Sequence, residues 1–349
     1  MNKKLVFIRV DANHKRGMGH LFRMLTLSDV FASMDVESFF VIREDDTAER
    51  ILGERKASYT KYPSNTRELE IIQDILKKTK DLPGIWIYDI LNTEESWIRS
   101  VKENGIDVVT FDDERGGLNE ADMVINPIVH LWGNYDSSST RTKLLEGVEY
   151  VVLDPQLIKL KKKRKINSND SILVGITMGG SDTYGATIKV GKILSGIKAV
   201  NIHVHFFLGP NFMHNLEFDN MVANYCFPFS IKRSVENLHK ELVEMDIIIC
   251  GGGQTLFEMC ALGLPTLALA NELHEEQTID FISKRNSCIN LGSVHHNINS
   301  GRIGQYLTKI EKEPDDINKL MSNAKKIVDG KGALRCCKAC VRIIESHGG

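Results

Sequence analysis

The sequence has no apolar run able to cross a bilayer, no excess of charge of either sign, and no paired set of cysteines. Each absence removes a class of protein. A membrane-spanning helix needs about 18 to 20 apolar residues in succession, and no segment comes near that length. The opening "MNKKLVFIRV" is too short and too weakly basic for a secretion signal, so the chain is expected to be cytoplasmic. A net charge of −2 gives no electrostatic case for nucleic acid as the main partner. The local basic run "KLKKKRK" at 159–165 reads as a solvated linker. Seven cysteines form an odd set without the four-ligand spacing of a zinc site. Cys250 and Cys260 sit in apolar runs and read as packed thiols, and "CCKAC" at 336–340 falls in a helical stretch. No metal site is expected. Short repeats and low-complexity tracts are also missing. Oligomeric state is left open, with a monomer as the default.

What is present is an alternating rhythm over 349 residues, long enough for two domains. Apolar strands are expected at 5–10, 37–42, 84–90, 106–113 and 122–128. Helical spacing is expected at 20–33, 67–80 and between the strands at 84–90 and 106–113. Residues 155–170, "PQLIKLKKKRKINSND", break the pattern. The rhythm then restarts with strands at 171–182, 201–209, 246–250 and 265–271, and helices near 184–195, 234–245, 274–285, 315–329 and 333–346. This alternation implies an α/β chain with parallel sheets. The expected division is a Rossmann-like domain at 1–155, a linker at 156–170 and a second Rossmann-like domain at 171–349, the two facing an interdomain cleft.

Three glycine-bearing segments follow strands. In "IIICGGGQTLFEMCALG" (247–263), a strand runs into Gly251, Gly252 and Gly253, and a helix opens near Gln254. Glycines there let backbone N–H groups approach a ligand, and the helix start adds unpaired donors and partial positive charge. That chemistry favours a phosphate. Glu258 lies one turn further in, where a carboxylate could receive a ribose hydroxyl pair. A plain strand-to-helix turn with a surface Glu fits the local pattern equally well. "MGGSD" (178–182) follows another strand of the same half and carries the same two readings. The third segment, "RVDANHKRGMGHLFRM" (9–24), places Asp11 in a loop and His20 at the mouth of a helix. The positive end of the helix favours a neutral imidazole, the form a general base needs. A structural histidine fits the local pattern too.

Together these segments resemble the UDP-sugar hydrolases of pseudaminic acid biosynthesis, which cleave UDP-2,4-diacetamido-2,4,6-trideoxy-β-L-altropyranose and are relatives of the two-domain GT-B glycosyltransferases. The resemblance rests on Arg9, Asp11, Gly17, Gly19, His20 and Arg23 at the start, and on Asp112, Asp113 and Asn126. It continues through 178–182, "GGGQTLFEMCALGLP", and Asp329, Gly330, Gly332, Ala333 and Arg335. It implies a GT-B-like fold and hydrolysis of a UDP-activated amino or deoxy sugar, releasing UDP and free sugar with inversion and with no metal or redox cofactor. In that reading His20 is the base, with Asp11 a candidate to orient it or a sugar hydroxyl. Gly252, Gly253, Gln254, Thr255 and Glu258 bind UDP, and Arg9, Gly17, Gly19, Arg23, Gly179, Gly180, Ser181, Asn271 and Gln277 line the sugar site. The chain departs from the family pattern at Asp154, where an Arg is usual. It departs again at "TYG" (183–185) after the Gly-Gly-Ser-Asp, and at "NELHEEQ" (271–277), which separates Asn271 from Gln277. A glycosyltransferase using the same donor and a non-catalytic nucleotide-sugar-binding protein remain the alternatives.

Overall fold

The computed structural model describes residues 4–11, 18–79, 84–114, 116–129, 142–160, 170–197 and 201–346. Gly17 and most of the basic run at 159–165 lie outside them. The chain forms two compact units, Met1–Asp154 with Lys331–Gly349, and Pro155–Gly330.

The first unit runs β1 (Lys4–Val10), α1 (Gly19–Ala32), β2 (Val36–Arg43), α2 (Asp46–Glu54), β3 (Ser58–Tyr62), α3 (Glu68–Lys78), β4 (Gly84–Asp89), α4 (Glu95–Lys102), β5 (Asp107–Phe111), β6 (Met123–Asn126) and β7 (Lys143–Glu146). The strands form one parallel sheet in the order β3-β2-β1-β4-β5-β6-β7. The chain winds outward one way from β1 to β3, then restarts at β4 on the other side of β1. Parallel strands covered by helices on both faces read as near-continuous apolar runs, and Val6, Phe7, Ile8 and Val10 of β1 are all buried. Helix α1 turns Leu21, Met24, Leu25, Leu27, Val30 and Phe31 inward. Asp45 caps α2 by accepting from the N–H groups of Thr47 and Ala48 at 3.0 and 2.9 Å, which satisfies donors the helix cannot.

The second unit runs β8 (Ile172–Thr177), α5 (Ala186–Ser195), β9 (Ile202–Leu208), α6 (Asn215–Val222), β10 (Phe229–Arg233), α7 (Leu238–Leu242), β11 (Ile247–Gly251), α8 (Gln254–Leu262), β12 (Thr266–Ala270), α9 (Glu275–Ser283), β13 (Ile289–Ser293), α10 (Ser300–Lys312) and α11 (Pro314–Ile327). Its parallel sheet has the order β10-β9-β8-β11-β12-β13. The reversal falls between β8 and β11.

The last helix, α12 (Gly332–Ser346), leaves the second unit and packs on α1. This corrects the expectation that the second domain extends to residue 349: the second unit ends at Gly330. Cys336, Cys337 and Cys340 of α12 are fully buried in the first unit's core, with the Cys337 thiol against the Leu27 carbonyl. Small apolar thiols let the two helices approach closely. At Gly332 the chain passes so near Val151 that an added Cβ would lie 2.0 Å from its carbonyl oxygen.

Candidate functional site

In an open parallel sheet, ligands gather where the strand order reverses, beyond the carboxyl ends of the strands. The first unit reverses between β1 and β4, whose ends pair at Val10 and Asp89. His20, in the first turn of α1, donates or accepts there: its Nδ1 lies 2.7 Å from Asp89 Oδ1. Asp89 is 1 % exposed. Arg23, one turn further along α1, grips the same carboxylate with Nε and one terminal nitrogen, and reaches Asp112 after β5 with the other. An Arg23 N–H also lies 3.3 Å from His20 Nδ1. The shorter approach to a carboxylate decides the tautomer: Nδ1 carries the proton and donates it to Asp89, leaving Nε2 as the basic nitrogen. Burial pushes the Asp89 carboxyl up, but Arg23 and His20 outweigh it and hold it below its ordinary value. Asp112 goes the other way. Burial raises it, Arg23 only partly compensates, and Asp89 adds repulsion. Burial also opposes the Arg23 charge, yet the two aspartates hold its pKa above the usual value. Asp112 is fully buried, sits at φ +48°, and its Oδ1 has no hydrogen-bond partner among the described residues.

Several expectations change on this geometry. Asp11 does not orient His20; Asp89 does. Asp11 instead pairs with Arg9 at 2.6 Å. Arg9 does not line a ligand site. It is 1 % exposed, with its guanidinium spread over Glu68, Asp11 and the Val10 carbonyl. Glu68 in turn binds Arg43 at 3.0 Å, so Arg9 ties β1 to α3 and β2. Arg23 likewise is committed to the two aspartates. Asp113 accepts from the Thr93 N–H and hydroxyl, and Asn126 is buried at the end of β6. Gly19 opens α1 with no atom within 4 Å of an added Cβ.

The second unit reverses between β8 and β11, and both glycine turns stand there. After β8, Gly179 takes φ +82°, and neither Gly179 nor Gly180 has an atom within 4 Å of an added Cβ. The Ser181 hydroxyl lies 3.0 Å from that of Thr183. Asp182 accepts from the N–H groups of Ala186 and Thr187 at 2.7 and 2.9 Å, fixing the start of α5. After β11, Gly251 to Gly253 lead into α8, whose first N–H groups have no partners within the helix.

Glu275, which the sequence reading missed, governs that turn. Its Oε2 accepts from Gly252 N–H at 3.1 Å and Asn271 N–H at 2.8 Å. Gly252 is therefore not a free donor for a phosphate, contrary to expectation. A Cβ on it would lie 2.8 Å from both Glu275 and Ile279. Gly253 differs. Its φ of −83° is ordinary, and an added Cβ would meet only Glu275 Oε1, at 3.1 Å. Gln254 is exposed and Thr255 half-buried in the first turn of α8. Glu258 is partly exposed and pairs with His239 Nε2 at 2.9 Å. Asn271 lies over Gly251 and reaches the Met178 carbonyl at 3.4 Å, joining the ends of β12 and β8. Gln277 is exposed on α9. A cavity of about 660 Å³ elsewhere in this unit, between β13, α10 and α11, is lined by Arg302, Tyr306, Lys309 and Asp316 among others, and by none of the glycine-turn residues. Its Lys309 is already paired with Glu313 and Asp316. Among the described residues no cluster of His, Cys, Asp and Glu has metal-binding geometry, and no helix is long and apolar enough to cross a membrane.

No family model matches the chain. An uncharacterized protein of Methanocaldococcus jannaschii, MJ1062, is 29% identical over 291 residues, 80% of this chain and 58% of the relative. The match thus spans little more than half of that longer protein. The spore coat polysaccharide biosynthesis protein SpsG of Bacillus subtilis is 22% identical over 340 residues, 95% of this chain and 96% of the relative. Among solved structures, MurG of Acinetobacter baumannii matches with a TM-score of 0.70 at 11% identity, over 97% of this chain and 99% of that one. A glycosyltransferase of Rickettsia africae matches with a TM-score of 0.69 at 15% identity, over 99% of each chain. HepE of Anabaena, determined with UDP and glucose, matches with a TM-score of 0.62 at 11% identity, over 99% of this chain and all of that one. At these identities the likeness establishes the fold. The chain has the two Rossmann-like α/β units of the GT-B glycosyltransferases.

Proposed function

We propose that the protein hydrolyses a UDP-activated amino or deoxy sugar at its anomeric carbon, in the biosynthesis of a surface polysaccharide or a nonulosonic acid such as pseudaminic acid. The observation that carries this reading is the His20–Asp89 pair at the reversal point of the first sheet. A glycosyltransferase needs a base aimed at an acceptor hydroxyl; a hydrolase needs one aimed at water. The resemblance of the segment from Arg9 to Arg23 to the pseudaminic hydrolases favours water. SpsG, named for polysaccharide biosynthesis, and HepE, solved with UDP, support the substrate class.

In this reading the second unit holds the nucleotide. The N–H groups of Gly253, Gln254 and Thr255 and the positive end of α8 face the diphosphate, and Glu258 accepts from the ribose. The first unit supplies the base. His20 Nε2 takes a proton from water as the oxygen attacks the anomeric carbon. The C1–O bond breaks, its electrons leave with UDP, and the anomeric centre inverts. Asp89 stabilises the imidazolium that forms, a role a buried, ionised carboxylate fills well. UDP is a competent leaving group, so α8 donors suffice to stabilise its developing charge. The working environment in this reading is the cytoplasm.

The test is incubation of the purified protein with a panel of UDP-sugars and no acceptor. UDP and free sugar in equal amounts from at least one N-acylated or deoxy sugar support hydrolysis. UDP release only after an acceptor is added supports the transferase. An epimerised nucleotide sugar with no UDP release overturns both.

A further inference from the structure

The segment "TYG", which departs from the family pattern, is not absorbed by the reading above. Tyr184 stands on the loop between Asp182 and Gly185 and is 39 % exposed. It packs edge-on against His295, with ring centroids 4.4 Å apart at 74°. His295 follows β13 and is itself fixed, its Nε2 2.7 Å from the carbonyl oxygen of Asn271. With a carbonyl as acceptor, Nε2 carries the proton and donates it. Asn271 lies over Gly251. Gly251, Asn271, His295 and Tyr184 thus form one continuous wall at the carboxyl edge of the second sheet, beginning at the glycine turn and ending in an exposed aromatic face.

We propose that Tyr184, braced by His295, is a specificity-determining surface for the sugar portion of the substrate, packing against an apolar substituent such as an N-acyl or deoxy methyl group. This rests on the nucleotide-sugar reading of the same unit. An aromatic face beside a few fixed polar groups is the usual lining of a small-molecule site. A ring held in one orientation offers contact area at little entropic cost. The hydrogen bond to Asn271 removes the freedom His295 would otherwise have, and His295 removes that of Tyr184.

The experiment measures the affinities of UDP and UDP-N-acetylglucosamine for the wild type, Tyr184→Ala, Tyr184→Phe and His295→Ala. The wild type should bind the sugar nucleotide more tightly than UDP. Tyr184→Ala should lower that preference by about five- to tenfold, the scale of one well-packed aromatic contact, with UDP affinity unchanged within twofold. Tyr184→Phe keeps the ring and should retain the preference, and His295→Ala should show a smaller loss. Saturation-transfer NMR should show magnetisation reaching the N-acetyl methyl in the wild type and not in Tyr184→Ala. No binding of UDP by the wild type would sink the nucleotide reading itself. Normal UDP binding with an unchanged preference in Tyr184→Ala, with equal loss for both ligands, or with no preference in the wild type overturns the proposal alone.

Discussion

At the residue scale, catalysis depends on His20 Nε2 being free to take a proton and on a carboxylate at Nδ1. Replacing His20 with Ala should cut turnover by about two to four orders of magnitude, the usual worth of a positioned base, while UDP affinity stays the same. Asp89→Asn is the sharper variant. Arg23 Nε and one Arg23 terminal nitrogen donate to different oxygens of residue 89, and the second of these oxygens also faces His20 Nδ1. An amide keeps only one acceptor oxygen and no charge, so whichever way it turns the imidazolium that forms on His20 loses its stabilising carboxylate. Turnover should fall about as far as in His20→Ala, and the melting temperature should fall too, because Arg23 stays buried with one carboxylate fewer. Activity within a few-fold of wild type would show that the Asp89 contact is only structural. Glu258→Ala should weaken UDP binding, since a hydrogen bond to a charged group is worth about 1.5–3 kcal/mol. Unchanged affinity by calorimetry would return Glu258 to the role of a partner for His239. The sequence made His20 legible because a histidine after two glycines at a helix start is conspicuous. Asp89 was hidden at the end of the apolar strand "GIWIYDI". Only the sheet order shows that this strand lies beside β1, and a strand order cannot be read from periodicity.

At the element scale, the glycine turn before α8 separates two jobs that look alike in sequence. Gly252 is required by packing, because a side chain would collide with Glu275 and Ile279. Gly252→Val should lose about 1–3 kcal/mol of stability, as overpacked sites do, together with binding. Gly253→Val should keep most of the stability and lose UDP binding at least tenfold, because its Cβ enters space beside the first N–H groups of α8. Melting temperature and UDP affinity on the same preparations distinguish them. A destabilised Gly253→Val that still binds UDP would remove the phosphate role from this turn. Long, periodic elements such as α1, α3, β8 and α12 were legible from their apolar spacing. The short or polar ones were not: β3 ("SYTKY"), β7 ("KLLE") and β10 ("FSIKR") are edge or near-edge strands with few buried side chains. The helical spacing expected at 234–245 condenses to the five residues of α7. The placement of α12 was invisible for another reason. Its apolar face says that it must be buried, not against which unit.

At the scale of the whole molecule, six buried cysteines give each unit a shared response to alkaline pH. Burial pushes Cys260 and Cys336 up to about 12 and raises Cys250, Cys288, Cys337 and Cys340 further or similarly. In the unfolded chain a thiol loses its proton near pH 8.5. Above that pH the unfolded state holds fewer protons than the folded one, so stability falls as pH rises, up to about 1.4 kcal/mol per pH unit for each such thiol. Below pH 8 the same groups contribute no slope. Denaturation in reducing buffer at pH 7.5 and 9.5 should show a marked loss at the higher pH, and Cys260→Ala should reduce that loss. An equal slope in the variant would locate the alkaline sensitivity elsewhere.

Water attack at the anomeric carbon is tested most directly by turnover in water enriched in oxygen-18, with the best UDP-sugar of the panel and no acceptor. If His20 activates water toward the anomeric carbon, the label enters the C1 hydroxyl of the released sugar and UDP carries none, and His20→Ala yields neither product at an appreciable rate. Label in the terminal phosphate of UDP would mean attack at phosphorus, and no turnover until an acceptor is added would mean group transfer. Either result contradicts hydrolysis by water attack at the anomeric carbon.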